Sequence, residues 1–170
     1  MKKSLSQRTF GFAIVISGLI LAALPLPAQT GLDSPLAWHW AAAPTAVAAT
    51  TKEVEITFDV DIAPGWVLYS SDFTPALFGP RATRLKLAES AAYSASGGID
   101  AIDAKSGTLK DAAGEAHYKY FSGKGRFKQR VALADAADAT EIRGSIRGQT
   151  CFEEKGVCQL FTQDFAVTVR

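Results

Sequence analysis

The sequence is poor in the residues from which most catalytic and metal centres are built. Its 170 residues include two cysteines, two histidines and one methionine, the initiator. His39 and His117 lie far apart, so few ligands are present for a copper or zinc site, and we expect neither a metal nor a cofactor. No Ser-His-Asp order stands out. The absence of a CxxC motif excludes a thioredoxin-type active site.

An excess of charge of one sign is also missing. The 18 basic and 17 acidic side chains nearly balance, and they form no run of like charge. A surface that neutralises nucleic-acid phosphates needs clustered Lys and Arg, and so does a polybasic membrane-surface protein. The sequence therefore argues against both of these function classes.

The longest apolar run stands close to the start of the chain. Basic residues up to Arg8 precede an uncharged apolar run from Phe10 to Leu24, and prolines and Ala28 follow it. This order is typical of a secretory signal peptide. The run is shorter than the ~20 apolar residues of a membrane-spanning helix, so a stable anchor is the weaker interpretation. We predict a signal peptide over residues 1–28, a periplasmic protein, and no stable membrane insertion after cleavage.

Two further segments follow the predicted signal peptide. Residues 29–51 are rich in Ala, Pro and Thr, have almost no charge and show no period of two or 3.6. We predict a linker there, with Trp38-His39-Trp40 packing loosely or serving as a docking tag. Residues 52–170 have the size of a single domain with one hydrophobic core.

The predicted domain has the pattern of short strands. From Lys52 to Ile62 apolar and polar residues alternate, which indicates a half-buried strand. No helical stripe is longer than two turns. Further strands are predicted over residues 66–69, 83–88, 117–121, 126–133, 141–148 and 163–169, with one irregular strand and long loops over 89–114. Short strands separated by turn residues predict an all-β antiparallel sandwich.

Cys151 and Cys158 enclose six residues. In an extended chain their Cα atoms would lie roughly 23 Å apart, whereas a disulfide needs them within ~7 Å. A disulfide therefore requires the chain to reverse between them. We predict the reversal at Glu154-Lys155-Gly156, with Gly156 at a positive φ, in a hairpin of strands 141–151 and 157–169.

The residues alone leave two roles open for this pair. As a structural disulfide it would contribute roughly 2.5 kcal/mol by closing a short loop, and less in a hairpin that a strand ladder already holds. As a redox pair it would react slowly with small thiols, because Glu153 and Glu154 disfavour a thiolate and Lys155 alone opposes them. A docked partner would then be needed to align the sulfur atoms.

A set of landmarks in a particular order adds a resemblance. The turn at 64–70 (PGWVLYS), the strand at 127–131 (FKQRV) and the terminal Cys pair resemble the N-terminal domain of the thiol:disulfide interchange protein DsbD. The resemblance covers residues 52–170 and implies an immunoglobulin-like periplasmic domain with a redox-active disulfide. In the family, this domain takes electrons from a membrane-embedded, thioredoxin-like relay and hands them to periplasmic oxidoreductases such as disulfide isomerases.

The resemblance also implies roles for single residues. Cys158 would form the mixed disulfide with partners and Cys151 would resolve it. Phe121, in the segment that begins at Tyr120, would be the aromatic cap over the pair, and Tyr69 would lie near it. Taken without the resemblance, these three aromatic residues could equally be core side chains of the sandwich.

Together these observations predict a periplasmic thiol-disulfide exchange protein, a protein-disulfide reductase-type shuttle if the pair is redox active. We expect it to stand alone, because the sequence has neither the membrane segment nor the C-terminal thioredoxin domain of full DsbD. Its predicted partners are a separate membrane thiol carrier and periplasmic thioredoxin-like or isomerase proteins. The alternative is an exported immunoglobulin-like binding module with a purely structural disulfide.

Overall fold

The computed structural model describes residues 34–44, 52–76, 79–111, 114–134 and 139–169. The predicted signal peptide lies outside the described residues. In the described part of the chain, regular structure consists of ten strands and one short 3-10 turn, and no helix there is long and apolar enough to cross a membrane. The strands are β1 (Leu36–Pro44), β2 (Glu53–Ile62), β3 (Trp66–Tyr69), β4 (Arg84–Leu87), β5 (Tyr93–Ile102), β6 (Lys105–Asp111), β7 (Gly114–Ser122), β8 (Lys124–Leu133), β9 (Thr140–Phe152) and β10 (Val157–Val169).

The strands pair antiparallel throughout and form two sheets. The first sheet has the order β1-β2-β8-β5, and the second has the order β6-β7-β3-β9-β10, with β4 also paired to β9. The sheets are joined through the pair Ser122–Lys124, at the tight turn between β7 and β8. The predicted fold class is confirmed: the described strands form an all-β antiparallel sandwich.

The core lies between the two sheets. As its alternation predicts, β2 buries Phe58 and the other apolar residues on the same face. Phe58 lies opposite Phe127 of β8 in the register, and both are fully buried. Across the core, the Phe58 ring meets Phe165 of β10 edge to face, with ring centroids 4.8 Å apart. Such pairs of buried aromatic rings hold the two sheets face to face.

The prediction of a linker over residues 29–51 is wrong for Leu36–Pro44, which form β1. This strand pairs with β2 along its whole length. The Trp38 ring lies 6.0 Å from Phe127, and Trp40 Nε1 donates a hydrogen bond to the Ala166 carbonyl oxygen at 2.9 Å. The period of two was present but hard to see, because alanines stand on both faces of the strand.

The segment 89–114 contains two strands, β5 and β6, instead of the one irregular strand that we predicted. The register of β5 against β8 shifts between Ser96 and Asp100, a stretch that holds two glycines. In β6, Gly107 lies under the ring of Tyr118, and a Cβ atom at Gly107 would come within 2.6 Å of that ring. The small residue Gly107 makes the alternation of β6 hard to see in the sequence, because the apolar contact at its position comes from the ring of Tyr118 in the neighbouring strand.

Trp40→Ala should lower the free energy of unfolding by about 2 kcal/mol, because it removes a half-buried ring of β1 and its hydrogen bond. His39→Ala, at the exposed neighbouring position, should change it by less than ~0.5 kcal/mol. Urea unfolding of the two variants measures both values. Equal, negligible effects would show that the segment contributes nothing to the fold.

Candidate functional site

Cys151 and Cys158 form a disulfide at the tip of the β9–β10 hairpin. They lie directly opposite each other in the register, with Cα atoms 4.0 Å apart. The chain reverses through the 3-10 turn Glu153–Lys155 and then Gly156, which has a left-handed φ of 61°. The predicted hairpin and the predicted glycine are both confirmed. A left-handed backbone favours glycine because it has no Cβ atom.

Both sulfur atoms lie on the outer face of the second sheet. Side chains alternate between the two faces of a strand. Ile146 of β9 and Phe165 of β10 belong to the hydrophobic core, and each lies an odd number of positions from the cysteine of its own strand. The same alternation that builds the core therefore directs the disulfide away from it.

The two cysteines differ sharply in exposure. Cys151 is 4% exposed, whereas Cys158 is exposed. Strand β9 lies inside the sheet, where Cys151 pairs with Val67 of β3 on one side and with Cys158 on the other. Among the described strands, β10 pairs with β9 alone and forms an edge. Residue 158 is therefore open to solvent on the edge strand, while Cys151 is covered.

A cluster of tyrosines lies on the same outer face. Tyr69 lies opposite Tyr120 in the β3–β7 register, and its ring meets that of Tyr118 at 5.5 Å. Burial raises the pKa of Tyr69, and the charges of Tyr118 and Glu153 raise it further. Tyr69 and Tyr120 thus share the face of the disulfide. Tyr118 was not predicted from the sequence, although its spacing of two from Tyr120 in a strand was the available signal.

Phe121 does not lie on that face. It pairs with Leu68 in the β3–β7 register, is 4% exposed, and packs in the core with its ring 5.1 Å from Phe127. The predicted role of Phe121 as a cap over the disulfide does not fit this position. The physical reason is strand parity, because Phe121 lies one position from Tyr120 and therefore points to the opposite side of the sheet.

A glutamine that was not predicted from the sequence contacts the pair. Gln149 lies two positions before Cys151 in β9, on the same face. Its Nε2 atom donates a hydrogen bond to Cys151 Sγ at 3.6 Å, and its Oε1 atom accepts one from the backbone N–H of Arg81 at 2.9 Å. In the sequence, the one available signal was its position two residues before a cysteine in a strand. Its contact with Arg81, 68 positions away, leaves no local pattern in the sequence.

Two exposed apolar residues neighbour Cys158 in β10. Val157 is 54% exposed and Leu160 is 62% exposed. Leu160 follows Cys158 by two positions and so shares its face, whereas Val157, one position before it, points to the opposite face. Leu160 is thus the exposed apolar side chain on the face of the disulfide.

The disulfide supplies the chemistry available at this site. Among the described residues, no group of three or more His, Cys, Asp or Glu side chains could hold a metal ion. A disulfide can accept two electrons through thiolate attack, and a dithiol can return them. The arrangement can therefore support thiol-disulfide exchange through its exposed cysteine, Cys158.

One family model matches most of this chain, and two solved structures align with it. The family described as "Thiol:disulfide interchange protein DsbD, N-terminal" matches residues 36–169, a range that begins with the first residue of β1. The N-terminal periplasmic domain of ScsB from Proteus mirabilis aligns with a TM-score of 0.47 and 21% identity, over 76% of this chain and 45% of that chain. The reduced DsbD N-terminal domain of Neisseria meningitidis aligns with a TM-score of 0.37 and 16% identity, over 67% and 79% of the two chains. No curated protein matches the chain.

The raised pKa of Tyr69 predicts a pH effect on stability. Above about pH 10 an unfolded tyrosine loses its proton while folded Tyr69 retains it. The contribution of Tyr69 to the free energy of unfolding is therefore fully present below pH 10, and it is lost as the pH rises through the folded pKa. Tyr69→Phe lacks this titration. Between pH 9 and pH 11 the wild-type protein should therefore lose more unfolding free energy than the variant, as urea titrations would show. Parallel losses would contradict the assignment.

Proposed function

Because the chain belongs to the family of DsbD N-terminal domains, we propose that it is a periplasmic thiol-disulfide exchange protein. It passes electrons between a membrane thiol carrier and periplasmic oxidoreductases through Cys151 and Cys158. The observation that carries this proposal is the unequal exposure of the two bonded cysteines on the outer face of the sheet. A purely structural disulfide does not need an exposed cysteine.

Reduction of the disulfide begins at the exposed sulfur. A thiolate of the electron donor attacks Cys158 Sγ, and the electron pair of the Cys151–Cys158 bond leaves on Cys151 Sγ. A second thiolate of the donor then attacks the donor sulfur of the mixed disulfide and releases the Cys158 thiolate. Two electrons enter the pair, the donor becomes a disulfide, and two protons from water convert the thiolates into thiols.

Delivery of the electrons reverses these steps on another protein. The Cys158 thiolate attacks the disulfide of an oxidised acceptor and forms a mixed disulfide, releasing the first acceptor thiolate. Cys151 then attacks Cys158 Sγ, re-forms the internal disulfide and releases the second acceptor thiolate. Cys151 is covered, but it lies directly opposite Cys158 with a Cα separation of 4.0 Å, so it is suited to this resolving step.

The setting and the partners belong to the same proposal. The predicted signal peptide supports export to the periplasm, and the ScsB domain that aligns with this chain is described as periplasmic. Thioredoxin-like or isomerase proteins are the proposed acceptors, because they carry disulfides that an exposed thiolate can attack. The activity is of the protein-disulfide reductase type.

The exposed side chain of Leu160 supports a protein partner in preference to a small thiol. Leu160 shares the face of Cys158 and lies two positions after it. Binding of an apolar partner surface there would hold the attacking sulfur in line with the bond, a geometry that raises the rate of exchange. A small thiol would gain little from this side chain.

The central test is covalent trapping. Cys151→Ser leaves Cys158 without its resolving thiol, so reduced Cys151→Ser should form a stable mixed disulfide with an oxidised periplasmic thioredoxin-like protein, seen as a band shift on a non-reducing gel. The matched control, Cys158→Ser, should form little or none, because Cys151 is covered. Absence of the complex in both variants, with effects on stability alone, would support the alternative of an inert structural disulfide.

A second test concerns Leu160. Leu160→Asp should slow exchange with the protein partner about tenfold through lost apolar contact, while reduction by dithiothreitol stays within about twofold of wild type. Thr168→Asp is the matched control, since it places the same charge on the same face at the far end of β10. Stopped-flow fluorescence would measure both reactions. Equal slowing by the two variants would contradict a docking role for Leu160.

A further inference from the structure

We propose that Gln149 is a catalytic hydrogen-bond donor to Cys151, and that it stabilises the negative charge on Cys151 Sγ as the disulfide opens. Its Nε2 atom lies 3.6 Å from that sulfur. This inference rests on the proposed function, because it assigns a role within the exchange reaction of the same cysteine pair. Gln149 assists Cys151 Sγ, the sulfur of the covered cysteine.

The orientation of the Gln149 amide follows from its second contact. The backbone N–H of Arg81 lies 2.9 Å from Gln149 Oε1. A backbone N–H can only donate, so the amide oxygen must face Arg81 and the NH2 group must face the sulfur. The contact with Arg81 thus excludes the flipped amide, in which an oxygen lone pair would point at Cys151.

The Arg81 amide is itself held in place. Two positions later, the backbone N–H of Thr83 donates to the Ser70 carbonyl oxygen at 2.9 Å, and Thr83 is fully buried. Pro80, on the other side of Arg81, is also buried. The segment is therefore fixed against the end of β3, and the Gln149 amide is oriented before any reaction begins. Such preorganised donors are effective because they need little rearrangement when charge appears.

The strength of the contact depends on the charge of the sulfur. A disulfide sulfur is a weak acceptor, whereas a thiolate is charged and accepts a much stronger hydrogen bond. Gln149 therefore stabilises Cys151 more as the bond breaks than before it breaks, which is the condition for faster reaction. The surroundings otherwise oppose the charge, because Cys151 is covered and Glu153 follows it closely.

Thiolate absorbance at 240 nm tests this directly in a Cys158→Ser background, where Cys151 is the one thiol. Gln149→Leu should move the midpoint of the thiolate titration up by about one pH unit, as expected for a lost hydrogen bond to a charged group. Gln149→Glu keeps an acceptor for the Arg81 N–H and replaces the donor by a carboxylate, so it should move the midpoint at least as far. Gln159→Leu, the same change at an exposed position beside residue 158, should leave the midpoint unchanged.

With both cysteines present, opening of the disulfide by dithiothreitol should be about tenfold slower in Gln149→Leu and in Gln149→Glu, because Cys151 becomes a poorer leaving group. Wild-type titration midpoints in both variants would overturn the proposal and leave Gln149 a structural residue. The Glu variant keeps the test decisive if the Leu variant fails to fold. A failed trapping experiment would contradict the proposed function, whereas unchanged midpoints would contradict the role of Gln149 alone.

Discussion

The register of the β9–β10 hairpin is the constraint on which the site depends. It places Cys158 opposite Cys151, and it leaves Ile146 and Phe165 in the core. Because side chains alternate between faces, a slip of one residue in either strand would move its apolar side chains out of the core and its cysteine toward it. Burial of apolar surface therefore enforces the geometry of the disulfide, and no further interaction is needed to keep the two cysteines opposite each other.

The order of the strands then makes the two cysteines unequal. Strand β9 has neighbours on both sides, and β10 forms an edge among the described strands, so Cys151 is covered and Cys158 is open. An exchange protein benefits from this inequality, because the accessible sulfur meets partners while the covered one completes the reaction. Gln149 lies on the same face and donates a hydrogen bond to the covered cysteine.

Prediction from the sequence succeeded where the signal was local. The alternation around Phe58 and the turn at Gly156 both depend on adjacent residues, and both were correct. The strand that carries Trp40 was missed because alanine is small enough to occupy either face. Phe121 was assigned by resemblance to a cap position, but its place in β7 directs the ring into the core. A motif match alone does not show to which face of a strand a side chain points.

The sequence by itself determined the all-β class, the hairpin and the two sulfur atoms that such a hairpin can join. These properties follow from the alternation of neighbouring side chains and from the backbone freedom of one glycine. The tertiary structure alone decided which sulfur is exposed and which group supports the other. Exposure depends on the order of strands in a sheet, and the amide of Gln149 is oriented by Arg81, a residue 68 positions away in the chain. Contacts at such separations arise when strands pair, and no local pattern encodes them.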